Sequence, residues 1–248
     1  MKVKNFLIGP FIIFILWFFI SKFNLINNFF LPGPFETIKE LITLIFSGEL
    51  TKDIISTILR MLFAFIISLF IGIPLGLFLG SHKRIYESCE FLIDFFRSIP
   101  STALFPLFLL IFGIGDNSKI AVAAFASTLI IIFNTAYGVM NSKKSRELAV
   151  RLMGATRLQR FRLISFWESL PQTFIGLRTA LSLTLIIIIV TEMFIGTYSG
   201  LGRRIIDFQY VYNIKGIYAV ILLTGIIGYL VNAIFIFLEK KVIHWHGN

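Results

Sequence analysis

The feature that most constrains the fold is a series of six apolar runs, each near the length that a membrane-crossing helix needs. The hydrocarbon core of a bilayer is about 30 Å thick, and a helix crosses it with about 20 residues. The runs lie at residues 6–20, 57–80, 91–113, 118–140, 173–197 and 214–238. A mean hydropathy of +0.88 excludes an ordinary soluble domain. The sequence predicts an all-α integral membrane protein with six transmembrane helices, in one domain over residues 1–248 with its core at about 50–240.

The basic residues predict the orientation of these helices. With the amino terminus inside, the cytoplasmic segments hold thirteen lysines and arginines and the outer segments hold seven. Because cytoplasmic loops carry the excess of such residues, we expect both termini in the cytoplasm. A cleaved signal peptide is the alternative for the first run, but "WFFISKFNL" offers no small-residue cleavage site, which favours a retained signal anchor.

The composition also bears on partners and chemistry. The formal charge of +10 lies beside the apolar runs, where topology and anionic lipid account for it better than nucleic acid does. The sequence has no glycine-rich nucleotide loop and no histidine or carboxylate cluster with metal-ligand spacing. Cys89 is the single cysteine. We therefore expect no catalysis, no metal and no cofactor bound by this chain.

Two stretches predict particular helix positions. The apolar residues after Pro32 and Pro34 recur at helical spacing among charged ones, which is typical of a helix at the outer interface; they are Ile38, Leu41, Ile42 and Ile45. In the second span, Gly72, Gly76 and Gly80 form a stripe that lets another helix approach closely. Packing within one subunit is the favoured interpretation of this stripe, and a direct place in a substrate path is the alternative.

Four residues are candidates for a translocation path or gate: Pro100, Ser101, Pro106 and Glu192. Each proline inside the third span would free a backbone carbonyl, which is tolerated at membrane depth only against protein or water. Glu192 is the single carboxylate in the fifth run, where we expect it near the outer water, and an intramembrane acid is a functional hypothesis by default. Simple helix packing for the prolines, and a structural pairing of Glu192 with Arg60 or with backbone, are the alternatives.

The long basic loop between spans 4 and 5, residues 141–172, predicts a projecting cytoplasmic element. Its length allows two short helices, with Gly154 and Ala155 marking a tight turn and Pro171 starting the return to the membrane. Leu148, Leu152 and Met153 form an apolar patch among the basic residues. An amphipathic helix in this position would present a docking surface.

At this loop the sequence resembles the permease subunits of ATP-binding-cassette importers, in particular the nitrate/sulfonate/taurine-type branch. Gly154-Ala155-Thr156 is similar to the Gly-Ala-Ser/Thr of that family's cytoplasmic EAA motif. Further similar segments follow in the family's order: "LPGP" (31–34), "SGEL" (47–50), "STILRMLFAF" (56–65), "SIPSTALFPLFLLIFGIG" (98–115), "FIGLRTAL" (174–181) and "GLG" (200–202). The sequence departs from the motif at Leu148, Val150 and Trp167, where the family has Glu, Ala and Pro.

The resemblance implies a function for the loop and a set of partners. The loop would be a coupling helix that docks in a separate cytosolic ATPase, through Glu147, Leu148, Ala149, Leu152, Gly154, Ala155 and Thr156. ATP and magnesium would be used by that ATPase. An extracytoplasmic solute-binding protein and a second permease copy, in a homodimer, would complete an importer of small solutes in the plasma (inner) membrane. The alternatives are a self-contained carrier or channel with Glu192 as its ion-coupling acid, and a structural or assembly factor.

Overall fold

A computed structural model describes residues 8–142, 144–194 and 196–243, with only the backbone of Lys144 and Glu147. Over these residues the chain is helical and contains no strand. The helices are α1 (Ile8–Lys22), α2 (Pro34–Phe46), α3 (Thr51–Ser81), α4 (Lys83–Ser98), α5 (Phe105–Phe112), α6 (Asp116–Met140), α7 (Lys144–Leu152), α8 (Arg157–Glu192), α9 (Leu201–Tyr210) and α10 (Ile214–Val242). The end of the chain after residue 243, with the sequence "HWHGN", lies outside the described residues.

Four of the six predicted spans are present as helices long and apolar enough to cross a membrane. They are α3, α6, α8 and α10, of 31, 25, 36 and 29 residues. The predicted first span corresponds to α1, an apolar helix of 15 residues. The predicted fifth span ends at Glu192, five residues before the predicted limit of 197. Four spans are thus supported by length and composition, while the full number of six stays a prediction.

The predicted third span is not one straight helix. Its sequence forms α4 and then a 3₁₀ turn (Ser101–Leu104) with α5, and the two parts are bent by 86°. The cause is Pro100, because a residue before proline avoids the helical conformation, and Ile99 is extended at φ −76° and ψ 125°. Pro106 lies in the first turn of α5, where its missing N–H costs no helical hydrogen bond. Neither proline thus lies in the interior of a continuous helix: Pro100 breaks one and Pro106 begins one, and whether the bent pair forms one span stays a prediction.

The core consists of α3, α6 and α8, which approach one another at glycines. A Cβ built on Gly76 would lie 2.6 Å from the Cβ of Thr135, and one on Gly80 would lie 2.7 Å from the carbonyl oxygen of Ala136. Gly72 faces Ile131 in the same way. The stripe on α3 therefore packs against α6 of the same chain, which confirms the within-subunit interpretation.

The α6–α8 contact is also close and carries polar pairs. Gly138 of α6 faces the backbone of Ser169, and Gly176 of α8 faces Asn134. Asn134 accepts a hydrogen bond of 2.9 Å from the side chain of Gln172. With water excluded, such pairs satisfy polar groups that would otherwise be costly in hydrocarbon.

The remaining helices surround this core. α2 buries Leu41 and Leu44 in the same apolar cluster as Ala219 of α10. Its 13 residues are too few to cross a bilayer, as expected for an interfacial helix, whose place at the interface stays a prediction. The Trp17 indole of α1 donates a hydrogen bond of 3.0 Å to the carbonyl of Pro32 and so ties α1 to the start of α2.

We predict that Gly76→Ala lowers the thermal stability of the purified protein. The added methyl group would meet Thr135 and the carbonyl of Ile132, 2.9 Å away, and overpacking of this kind costs about 1–3 kcal/mol. Gly225→Ala in α10 is the matched control, because nothing lies within 4 Å of its built Cβ. Thermal denaturation in one detergent compares the two variants, and equal melting temperatures would contradict the packing argument.

Candidate functional site

The described part of the basic loop is a helix, a tight turn and a second helix. α7 ends in a Schellman motif: the amide of Gly154 donates to the carbonyl of Arg151 at 3.0 Å, and that of Ala155 to Val150 at 3.2 Å. Gly154 has φ +82°, a left-handed conformation that glycine adopts without strain. The predicted turn at Gly154 and Ala155 is thus present in the structure.

The second helix begins with a capping box. Thr156 accepts a hydrogen bond from the backbone amide of Gln159 at 3.3 Å, and the Gln159 side chain accepts one from the amide of Thr156 at 2.8 Å. Two of the free donors at the helix start are therefore satisfied locally. The turn is fixed on both sides by residues inside the loop itself.

The second helix does not stop before the membrane. α8 runs without interruption from Arg157 to Glu192, with one π-helical turn at Phe161–Ser165 and with Pro171 in its interior. Pro171 therefore marks no helix boundary, because the helix tolerates the missing donor and continues, while the prediction that the chain returns to the membrane there stays a prediction. The turn is consequently joined rigidly to a core helix.

The apolar patch of the loop is exposed. The exposed fractions of Leu152 and Met153 are 80% and 83%, and that of Leu148 is 54%. Ala149 is exposed as well, and the side chain of Glu147 lies outside the described set. On the other side, Arg146 forms an ion pair of 2.8 Å with Glu168 and so joins α7 to α8. The loop therefore has an exposed apolar tip, formed by Leu152 and Met153, and is joined to α8 by the ion pair of Arg146 with Glu168.

At the opposite end of the core, a buried ion pair joins α3 to the end of α8. Arg60 Nη1 lies 2.6 Å from Glu192 Oε1, and the side-chain exposures are 6% and 0%. Thr57 donates to the same carboxylate at 2.8 Å, and Arg60 Nε reaches Asp116 at 2.8 Å. The pairing of Glu192 with Arg60 suggested from the sequence is confirmed, and the carboxylate is buried within the protein, while its place near the outer water stays a prediction.

The same network holds the segment that leads into α9. The amide of Gly202 donates to Glu192 at 3.1 Å, and the amide of Gly200 donates to Asp53 at 2.8 Å. Arg204 bonds the second oxygen of Asp53, also at 2.8 Å. A Cβ on Gly200 would meet the Glu192 carboxylate and one on Gly202 would meet the carbonyl of Ile189, so both positions need glycine.

Sequence reasoning missed most of this network. Asp53, Thr57 and Arg60 follow one another at intervals of four and three residues, which places them on one face of α3. That polar stripe on an apolar helix was the signal available. Asp116 and Arg204 carried no such signal, because only the tertiary fold brings them to α3.

The bend between α4 and α5 lies beside a cavity of about 510 Å³. Its polar lining consists of Asp94, Arg97, Ser98 and Ser101, and its apolar lining comes from Phe96 of α4, from α6 and from Leu183 of α8. Arg97 bonds Asp94 at 3.1 Å, and its guanidinium lies 4.2 Å from the centre of the Phe133 ring. Of the four path candidates, Ser101 lines this cavity and Pro100 forms its bend, whereas Glu192 and Pro106 do not line it.

Comparison with known proteins identifies relatives of this chain. Residues 72–244 match the family described as binding-protein-dependent transport system inner membrane component. A Brucella melitensis biotype 1 protein named "Probable ABC transporter permease protein" is 28% identical over 215 residues, 87% of each chain. The taurine transport system permease protein TauC of Escherichia coli K12 is 25% identical and covers 93% of this chain and 86% of its own. The nitrate import permease protein NrtB of Synechocystis is 28% identical, with coverages of 86% and 80%.

The fold is similar to that of a solved transporter. A chain of the MetNI methionine ABC transporter, in an inward-facing conformation, aligns with a TM-score of 0.69 at 22% identity. The alignment covers 78% of this chain and 95% of that one. At this identity the likeness concerns the fold alone.

We predict that Arg60→Gln lowers stability by about 3–5 kcal/mol, because it leaves the buried Glu192 carboxylate without its cation. Glu192→Gln should lower stability by less, because Arg60 keeps its ion pair with Asp116. The double variant should lose less than the sum of the two, and the difference measures the coupling of the pair. Arg203→Gln, which breaks the half-exposed pair with Asp207, is the control and should change stability by about 0–1 kcal/mol. Thermal denaturation of the four variants checks this, and strictly additive losses would contradict a coupled pair.

Proposed function

We propose that this chain, which belongs to the family of binding-protein-dependent transport system inner membrane components, forms the solute path of an ATP-binding-cassette importer and couples it to a separate ATPase. The resemblance of the loop and of the ordered segments to nitrate/sulfonate/taurine-type permeases agrees with the nitrate and taurine permeases among the relatives of this chain. The observation that carries the coupling proposal is the capped helix–turn–helix between α6 and α8.

The coupling proposal rests on how the loop is built. Leu152 and Met153 form an exposed apolar tip, which suits burial in a cleft of another protein. The turn behind them is fixed by caps on both sides, and α8 extends from it through the core. A displacement of the tip would therefore pass to the α3–α6–α8 core as a rigid motion.

The solute path is proposed along the α4–α5 bend. Non-helical backbone at membrane depth is tolerated where it faces a cavity, and the bend at Pro100 faces one lined by Asp94, Arg97 and Ser101. Charged groups inside a membrane protein commonly mark substrate paths. The exposed apolar face of α5 beside the bend, with Leu110 at 85% exposure, suits a second permease copy across a shared path.

The relatives bear on the solute and the partners. TauC and NrtB are named for taurine and nitrate, so a small solute of the nitrate, sulfonate or taurine type is proposed here. The family description implies a solute-binding protein outside the inner membrane, and ATP and magnesium would be handled by the ATPase. A self-contained carrier is less well supported, because Glu192 is fully buried and already bonded to Arg60, Thr57 and Gly202.

We predict that Gly154→Val abolishes ATP-driven solute uptake while the protein still inserts in the membrane. The space around Gly154 is open, so the effect arises from the backbone: a β-branched residue at φ +82° is strained and would undo the turn. Gly154→Asn is the matched control, since Asn tolerates the left-handed conformation, and it should keep most of the uptake. Uptake into vesicles and copurification of the ATPase are both measured. Full coupling in the valine variant would refute the docking role of this turn.

The orientation is tested by cysteine labelling in a Cys89→Ser background. With both termini in the cytoplasm, an impermeant maleimide added outside should label Lys52→Cys at the start of α3 but not Lys241→Cys at the end of α10. Both positions are exposed in the structure, so access depends on the side of the membrane alone. Labelling at 241 and not at 52 would reverse the topology and remove the loop from the ATPase side.

A further inference from the structure

A groove runs along the outside of the core where α3 ends. It has a volume of about 530 Å³ and lies between the last turns of α3 and the first turns of α8. Pro74, Leu77 and Phe78 form the α3 wall, and Leu158 and Phe161 form the α8 wall. Its polar residues, Ser81, His82 and Arg157, all lie at the end of α3 or the start of α8. The groove is therefore apolar along its length and polar at one mouth.

A second, basic pocket adjoins that mouth. It has a volume of about 310 Å³ and shares Ser81, Arg157 and Phe161 with the groove. Lys83 and Arg160 bring the cationic residues of its lining to three, and among the described residues that line either pocket none is acidic. Lys83 forms an exposed ion pair of 3.5 Å with Glu87 of the next helical turn. The combined cavity thus has an apolar half and a positively charged half.

The direction of this gradient matches that of a lipid leaflet. Pro74 precedes Ser81 by seven residues on α3, which is about 10 Å along the helix, so the apolar half extends toward the middle of the span. The charged half lies at the end of α3, the position at which a spanning helix meets the headgroups. Charged side chains at such a level attract anionic lipids.

We propose that this cavity binds one anionic phospholipid, with its phosphate between Arg157 and Lys83 and one acyl chain in the groove. Arg157 is suited to the phosphate: its guanidinium makes one described hydrogen bond, from Nη2 to the carbonyl of Ser81 at 3.0 Å, and has further N–H donors to offer. An acyl chain accounts for the apolar walls, which a soluble anion would leave in contact with water. The bound lipid would bridge α3 to the first turns of α8, directly behind the capped turn.

The experiment uses the full-length protein in nanodiscs of equal parts phosphatidylglycerol and phosphatidylcholine, with the retained lipids counted by native mass spectrometry. Wild type should retain phosphatidylglycerol in preference. Arg157→Gln should lower that preference about fivefold, which is the effect of one cation near a membrane surface. Adding Lys83→Gln to Arg157→Gln should lower the preference further. Arg157→Lys keeps the charge and should keep most of the preference. Arg203→Gln, at the other end of the core, is the matched control and should change nothing.

The acyl half is tested separately. Leu158→Ser removes part of the groove wall and should reduce retention, whereas Leu230→Ser, which changes an exposed leucine on α10, should not. Soluble glycerol 3-phosphate should fail to displace the lipid, and displacement would mean a free-anion site and overturn the proposal.

Equal losses of the phosphatidylglycerol preference in Arg157→Gln and Arg203→Gln would mean that the preference arises from non-specific charge, which would also overturn the proposal. If the Arg157→Gln and Leu158→Ser variants retain lipid as wild type does but lose copurification of the ATPase, the groove and the basic pocket would be assigned to the ATPase instead. Because lipid counting and copurification are independent, this proposal can fail without the coupling role failing.

Discussion

The close approach of α3, α6 and α8 is the constraint on which the rest of the structure depends. Inside a bilayer there is no hydrophobic force between helices, so they associate through van der Waals contact and polar pairs, both of which need short distances. Gly72, Gly76 and Gly80 provide this contact on one side of α6, and Gly138 and Gly176 provide it on the other. Where backbones meet so tightly, small shifts of one helix cannot be absorbed by side chains, and the three helices move together or not at all.

The two ends of this core are stabilised by different kinds of interaction. At the Glu192 end, Thr57 and Arg60 of α3 and the amide of Gly202 bond the Glu192 carboxylate, while the amide of Gly200 and the side chain of Arg204 bond that of Asp53. At the Gly154 end, the turn is held by local caps, and the apolar tip has no described partner in the chain. The Glu192 end is therefore buried, with its polar groups bonded to one another. The Gly154 end is exposed, and its turn is fixed by local hydrogen bonds. This difference between the two ends suits a chain that binds a partner protein at its Gly154 end.

The sequence predicted those features that depend on neighbouring residues. Apolar length predicted the helices, glycine spacing predicted the face of α3 that packs on α6, and Gly154-Ala155 predicted the turn. The features that it did not predict depend on tertiary structure or helix continuity. A proline can break a helix, begin one or lie within one, as Pro100, Pro106 and Pro171 do, and local sequence alone did not separate these cases. Likewise, Asp116 and Arg204 join the buried network through contacts between residues far apart in the chain.

The continuity of α8 has a mechanical consequence. A helix of 36 residues is about 54 Å long, and it is anchored at one end by the salt bridge of Glu192 and guided at its centre by Gly176 against α6. Its length means that any rotation about the Glu192 end is magnified toward the loop. A tilt of about 5° about the anchored end would displace the far end by about 5 Å, roughly the rise of one helical turn. Because α3 and α6 are packed on α8 through the glycines, the three helices would tilt together, and a small rotation of this core would be magnified into a larger movement of the loop.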